Sequence, residues 1–286
     1  MSTATKRRVV VTGAAGVIAG QVLPALQERY ALVLLDIRPA DCDGVPVDGI
    51  RIADLTNTDR DAYRHHFQGA DAVVHLGLAR GATQQPDDQF RAELTNVQMA
   101  YNIYQTSLEA GVRRVVIASS NHAADYYEPL ILDGQREQVD PDDRPLSDRY
   151  YGWAKEAQEH LGFVFAVGRQ SGKPLENVQL RIGGPSETSV ARCPLGDMRC
   201  VRRALAVYIS ARDLQQLVVK SIETVDIRDR KGVPFQIFYG ISNNDRAFWS
   251  TASARRVIGY APQDNSELRF ADLVAQHMAA HRTKRQ

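Results

Sequence analysis

The sequence predicts an α/β fold built on a doubly wound parallel sheet, and three observations carry that prediction. Short apolar runs alternate with helical stretches through residue 182. The first run, Arg8-Val9-Val10-Val11, breaks into a glycine turn, Gly13 to Gly20, that opens a helix. The second, Ala31 to Ile37, carries an acid, Asp36, near its C-terminal end. Strands alternating with helices imply right-handed crossovers, hence a parallel sheet covered by helices on both faces.

Taken in order, the first helix runs to about Tyr30, and Gly49 to Leu55 is a third short strand. Thr58 to Phe67 reads as helical and Ala70 to Leu76 as a fourth strand. Residues 77–87 form a loop, and Asp88 to Ala110 is a long amphipathic helix stopped by Gly111. Val112 to Ser120 is a fifth strand; Asn121 to Ser147, polar and rich in Pro and Asp, is a loop or lid. A helix to about Gly172 and the strand Asn177 to Ile182 follow. Beyond Gly183 the pattern weakens. Cys200 to Tyr208, Ala211 to Val225, Ser253 to Ile258 and Phe270 to Ala280 read as helices, and Phe235 to Ile241 as a strand. Residues 1–182 thus form a nucleotide-binding core. Residues 183–286 form a smaller mixed part, interleaved with it, that completes a substrate pocket.

With 44% hydrophobic and 24% charged residues, the composition is that of a soluble globular chain. A formal net charge of +1 gives no electrostatic case for nucleic acid or an anionic membrane as partner. No apolar run approaches the roughly 20 residues of a membrane helix. Cys42, Cys193 and Cys200 are odd in number and lack metal-ligand spacing, so they read as free thiols in a reducing compartment, with no metal site. Met1 to Arg8 reads as a short disordered tail without a signal-peptide core. The expected home is the cytoplasm.

The chemistry-bearing motifs stand at the C-terminal ends of the expected strands, where open α/β sheets bind ligands. Gly13, Ala15 and Gly16 lie between a strand and a helix, so pyrophosphate oxygens can reach the helix N-terminus. Asp36 can bind an adenosine ribose hydroxyl and repels a 2′-phosphate, which favours NAD over NADP; Arg38 pulls the other way. Asp54-Leu55 either meets the adenine edge or forms a strand-end turn. Gly77 leaves room for backbone to approach a cofactor, while His75 reads as a core histidine. Ser119-Ser120-Asn121-His122 offers a hydroxyl to a reacting alcohol or an ordinary turn. Tyr151 and Lys155 are four residues apart, on one helix face. A phenol is a poor base at neutral pH, and a neighbouring cation favours its phenolate.

Thr12 to Gly16, Asp36, Asp54-Leu55, Asn96-Val97, Ser119-Ser120 and Tyr151 to Lys155, in that order, resemble the extended short-chain dehydrogenase/reductases, or NAD-dependent epimerase/dehydratase family, over roughly residues 7–220. The resemblance implies a Rossmann-type core, NAD as cofactor and a homo-oligomer. It makes Tyr151 the catalytic base, Lys155 the holder of the nicotinamide ribose that lowers the tyrosine pKa, and Ser120 the group that orients the substrate oxygen. It places the cofactor along Gly13, Ala15, Gly16, Val17, Ile18, Asp36, Ile37, Arg38, Asp54, Leu55, Leu76, Gly77, Leu78, Asn96, Ser119, Tyr151, Lys155 and Ile182.

Within that family, Ser119-Ser120-Asn121-His122, His75-Leu76-Gly77 and Leu180-Arg181-Ile182-Gly183 with a short C-terminal part are similar to uronate dehydrogenases. These oxidise the anomeric carbon of a hexuronic acid to a lactone, and the similarity makes Ser120, Asn121 and His122 substrate contacts. Two positions depart. Arg80 stands where a pocket serine is expected, and Gly184 replaces another; Arg192 is the nearest candidate for the arginine that binds the sugar carboxylate. Arg80 suits a phosphate or second carboxylate, or is a solvated loop arginine. The expected function is an NAD-dependent sugar dehydrogenase acting on a uronic acid or a related acidic or phosphorylated aldose. The alternatives are a nucleotide-sugar epimerase or dehydratase with tightly held NAD, and a non-catalytic NAD-binding sensor.

Overall fold

A computed structural model describes residues 6–284. Its centre is a seven-stranded parallel sheet: β1 (Arg8–Thr12), β2 (Ala31–Asp36), β3 (Ile50–Ile52), β4 (Ala72–His75), β5 (Arg114–Ser120), β6 (Glu176–Ile182) and β7 (Phe235–Gly240). The order is β3-β2-β1-β4-β5-β6-β7, so the chain reverses direction across the sheet between β1 and β4. Both faces are covered, as a parallel sheet requires. On one face α1 (Val17–Arg29) packs with α6 (Ala211–Glu223) over Val9, Val11, Val74 and Val116. On the other, α2 (Pro86–Glu109) and α4 (Tyr150–Val167) cover Val10, Val73, Val115 and Ile117. Successive strand residues point to opposite faces, which is why these valines divide by parity.

Residues 183–284 add a strand and helices to this frame. β7 extends the sheet beside β6. The helices α5 (Met198–Val207), α7 (Ala252–Ile258), α8 (Ser266–Arg269) and α9 (Ala271–Thr283) flank that end of the molecule.

Several expectations need correction. Thr58–Phe67 is not one helix but two 3-10 turns, Arg60–Ala62 and Arg64–Phe67; the Asp59 side chain accepts from Asp61 N and closes the first as a separate turn. Asn121–Ser147 is not all loop: a 3-10 turn, Asn121–Tyr127, leads into α3 (Glu128–Leu132), with Ser120 capping the turn and Pro129 inside the first helical turn. The helix carrying Tyr151 stops at Gly168, whose φ of 74° takes the left-handed conformation, and not at Gly172. The thiol expectation fails for two cysteines. Cys193 and Cys200 form a disulfide, because the turn before α5 folds back and brings their Cα atoms to 5.7 Å; Cys42 is free and exposed. The expected tail falls partly on residues 1–5, outside the described residues, while Arg8 begins β1. No helix among the described residues is long and apolar enough to cross a membrane.

Candidate active site

The expected functional residues gather along the C-terminal edge of the sheet, on both sides of the β1/β4 reversal. Gly13 follows β1 with φ of 68°, and a Cβ on it would stand 2.5 Å from Gly77 N after β4. Only glycine satisfies both the backbone and the contact. Gly16 caps α1 with no side-chain bond, so the first N–H groups of that helix face outward with Ala15, Val17 and Ile18 around them. Asp36, at the end of β2, is buried; one carboxylate oxygen accepts from Ala15 N at 2.9 Å and the other from Arg38 N at 3.1 Å. The acid thereby ties the glycine turn to β2, beside exposed Ile37.

Asp54 is exposed, and its Oδ1 closes a turn by accepting from Thr56 N at 2.9 Å and Thr56 Oγ1 at 2.6 Å. Leu55 beside it is buried core. Asn96 on α2 is buried and clamps the loop after β4: its side chain accepts from Ala79 N at 2.8 Å and donates to Ala79 O at 2.9 Å. That clamp holds the stretch from Leu76, Gly77 and Leu78 to Arg80. His75 is a core residue sharing a 2.6 Å hydrogen bond with Thr12 Oγ1. Burial, aided by the charge of Lys155, lowers it to about 3, so the ring is neutral.

β5 ends in the serine pair. Ser119 Oγ donates to buried Glu159 Oε1 at 2.5 Å, so this hydroxyl is bound inward. Ser120, paired across the sheet with Ile182, accepts from His122 N at 3.2 Å and donates to Asn121 Oδ1 at 3.4 Å, and it lies near enough to Tyr151 to draw the phenol's pKa down. Lys155 lies one turn after Tyr151 and is buried; its Nζ donates to Ala118 O at 2.8 Å and stands 5.7 Å from the Tyr151 ring centroid. The electrostatics differ from the expectation that the lysine brings the phenol down. Burial pushes Tyr151 above its usual range and the charge of Glu93 adds to that, while Ser120 and Arg80 pull the other way without overturning it. Lys155 is lowered to about 8 by burial, against the pull of Glu93 and Glu159. Its ammonium is spent on a strand carbonyl rather than on the phenol.

Three proposed substrate contacts fare differently. Arg80 is exposed and close enough for its charge to act on Tyr151. Arg192 is exposed in the turn before α5, and its guanidinium makes no hydrogen bond among the described residues. Gly184 is tied by its backbone, N–H to Val207 O at 2.6 Å and C=O to Ile209 N at 3.3 Å, so it has only its missing side chain to offer.

Four features escaped the sequence reading. Glu93 is buried and accepts from Asn96 Nδ2 at 3.0 Å; its place one helical turn before Asn96 is a visible signal. Asp125 meets His122. Glu128 joins Asn121 Nδ2 at 3.5 Å to the Arg203 guanidinium at 2.6 Å, a link no local pattern announces. Gly152 sits where a Cβ would fall well inside contact with His122 O and Ser147 Oγ, so the first turn of α4 lies directly on the exit of β5.

Comparison with known proteins bears on this geometry. Residues 9–172 match the model of the NAD dependent epimerase/dehydratase family. The chain is 29% identical over 280 residues to a uronate dehydrogenase of Pseudomonas syringae pv. tomato, spanning 96% of this chain and 88% of that protein. It is 29% identical over 267 residues to an NAD-dependent glucose-6-phosphate dehydrogenase of Haloferax volcanii, spanning 90% and 94% respectively. A crystal structure of uronate dehydrogenase from Agrobacterium tumefaciens superposes with a TM-score of 0.71 at 25% identity, covering 94% of this chain and 89% of that one.

Two outcomes follow from the packing and the burial. Gly152→Ala forces α4 off the β5 exit and costs about 2 kcal/mol of stability by urea denaturation; an unchanged midpoint would show that the contact is dispensable. Lys155 titrates from 10.5 unfolded to about 8 folded, so between pH 8 and 10 the unfolded chain binds more protons and stability rises with pH. Lys155→Met removes that contribution. The wild-type advantage over the variant therefore grows across that window, and a flat or shrinking difference would refute the buried, lowered ammonium.

Proposed function

Because the chain belongs to the NAD dependent epimerase/dehydratase family, we propose that it is an NAD-dependent dehydrogenase oxidising a sugar hydroxyl. The substrate class is a uronic acid or a related acidic or phosphorylated aldose, oxidised at C1 to a lactone. One observation carries the proposal: Ser120, Tyr151 and Lys155 gather at the end of β5, with Lys155 anchored on Ala118 O and its Nζ 5.7 Å from the Tyr151 ring centroid.

The residues fit the dinucleotide. Gly13 and Gly16 put no side chain over the turn between β1 and α1, so pyrophosphate oxygens could approach its backbone, with Ala15 in the turn and Val17 and Ile18 opening the helix. Asp36, Ile37 and Arg38 would hold the adenosine ribose, Asp54 and Leu55 would border the adenine, and Leu76, Gly77, Leu78, Asn96, Ser119 and Ile182 would border the nicotinamide end. NAD, when bound, would supply the hydride acceptor for the carbon that bears the reacting hydroxyl. Ser120 holds that hydroxyl and Tyr151 takes its proton. Burial alone disfavours the phenolate, so Lys155 acts as an anchor for the cofactor ribose beside Tyr151, where its charge offsets part of that penalty.

The substrate half of the site is residues 183–286 together with Asn121 and His122. Arg80 is the favoured partner for an anionic group on the sugar, since its charge already reaches Tyr151; Arg192 and the space beside Gly184 are the other contacts. A guanidinium suits a carboxylate and a phosphate equally, which fits relatives named for a uronate and for glucose 6-phosphate. In this proposal the enzyme works in the cytoplasm, where a reducing pool acts to open the Cys193–Cys200 bridge.

NADH formation with glucuronate, galacturonate, glucose 6-phosphate, glucose and a UDP-sugar tests the assignment. Activity is expected on a free acidic or phosphorylated sugar. Tyr151→Phe is expected to abolish it, with NAD binding retained in a fluorescence titration. Normal turnover by that variant would refute the mechanism, and silence on every sugar would refute the substrate class. Phe90, Leu94 and Tyr101 on α2 and Trp153, Phe163 and Val164 on α4 are exposed along adjacent helices, an apolar face that fits a homo-oligomer. Sedimentation velocity is expected to give a dimer or larger, and Trp153→Lys to dissociate it.

A further inference from the structure

Asp125, to which the reaction above gives no task, forms a pair with the substrate-side His122. They lie three residues apart in the turn Asn121–Tyr127, with His122 Nδ1 at 2.7 Å from Asp125 Oδ2. The acid side chain is 8% exposed and the imidazole 30%, so the carboxylate supports the ring from inside while the ring meets solvent. That ring stands edge-on to Tyr151, with centroids 5.9 Å apart. With Asp125, Glu128, Arg149 and Arg203 it lines a cleft of about 450 Å³.

The protonation of the pair follows from its chemistry. Burial pushes the Asp125 carboxyl up, but its polar neighbours, His122 first among them, outweigh it and hold the group below the usual carboxylate range. An ionised carboxylate only accepts, so the 2.7 Å contact requires the proton on His122 Nδ1. A neutral imidazole donates from one nitrogen and accepts at the other, so Nε2 is left as an acceptor. Among the described residues the ring makes no other hydrogen bond.

We propose that Asp125 is a positioning residue that locks His122 in the Nδ1–H tautomer, so that Nε2 accepts a hydrogen bond from a sugar hydroxyl beside the one that Tyr151 deprotonates. A sugar ring carries several hydroxyl donors, and each one buried without an acceptor costs binding. The tautomer is a property of the free protein. The hydroxyl contact rests on the dehydrogenase assignment.

The test therefore has two arms. In full-length protein labelled with 15N-histidine, the His122 nitrogen shifts are expected to report Nδ1–H in the wild type and a majority of Nε2–H in Asp125→Ala. Asp125→Asn, whose carboxamide both donates and accepts, is expected to lose the single tautomer, and it serves if the alanine variant does not fold. Nε2–H or a doubly protonated ring in the wild type, or an unchanged tautomer in both variants, would overturn the proposal. In steady-state kinetics, Asp125→Ala is expected to raise KM for the sugar about tenfold, the loss of one hydrogen bond, with KM for NAD unchanged. Adding Asp125→Ala to His122→Ala is expected to cost nothing further. A full additional loss in that background would mark Asp125 as merely structural and overturn the positioning role. If wild-type protein turns over no sugar, the dehydrogenase assignment has failed, and the nitrogen shifts alone judge the tautomer.

Discussion

The arrangement of the site depends on one fully buried guanidinium. Arg181 on β6 pairs with Glu159 on α4 through two bonds of 2.9 and 2.7 Å, and donates to Tyr239 Oη on β7 at 2.9 Å. Glu159 also accepts from Ser119 at the end of β5. Both charged side chains are almost completely excluded from solvent, 1% and 3% exposed, a burial that is tolerable only when nearly every polar atom finds a partner. Four elements are locked together by that demand. Since α4 advances one turn in about four residues, fixing Glu159 fixes Lys155 one turn earlier and Tyr151 two turns earlier. Tyr151 is thereby brought to the β5 exit beside Ser120.

The same geometry explains why charge does not act on Tyr151 as simple spacing suggests. An i, i+4 lysine is near its tyrosine, but nearness is not contact. Lys155 is drawn to Ala118 O and lies among Glu93, Gln158 and Glu159, so its proton serves the strand end. Burial then dominates both groups, raising the phenol and lowering the amine. In the proposed enzyme this is a poised arrangement: burial keeps the phenol neutral and brings the lysine, still an ammonium at neutral pH, closer to losing its proton.

Much of the fold was legible because its signals are local and strong. The valine runs, the glycine turn at Gly13 to Gly16 and the glycine stop after α2 each report the backbone of their own neighbourhood, and the alternation of strands with helices implies a parallel sheet. The misreadings share one cause. Thr58–Phe67 and Asn121–Ser147 are polar stretches with no period, so their shape is settled by caps such as Asp59 and Ser120 and by what they lie against. The Cys193–Cys200 bridge depends on a turn that the sequence pattern does not encode.

The sequence by itself determined the doubly wound sheet, the glycine cradle at the end of β1, the acid after β2, and the spacing that sets Tyr151 and Lys155 on one helix face. These are consequences of periods and turn chemistry over a few residues. Only the tertiary structure decided what each side chain touches: that Ser119 turns inward to Glu159, that Lys155 is drawn to Ala118 O, and that Glu128 meets the Arg203 guanidinium. The physical reason is that hydrogen bonds and desolvation act at about 3 Å, between residues the chain separates by dozens of positions, and no local pattern carries that distance.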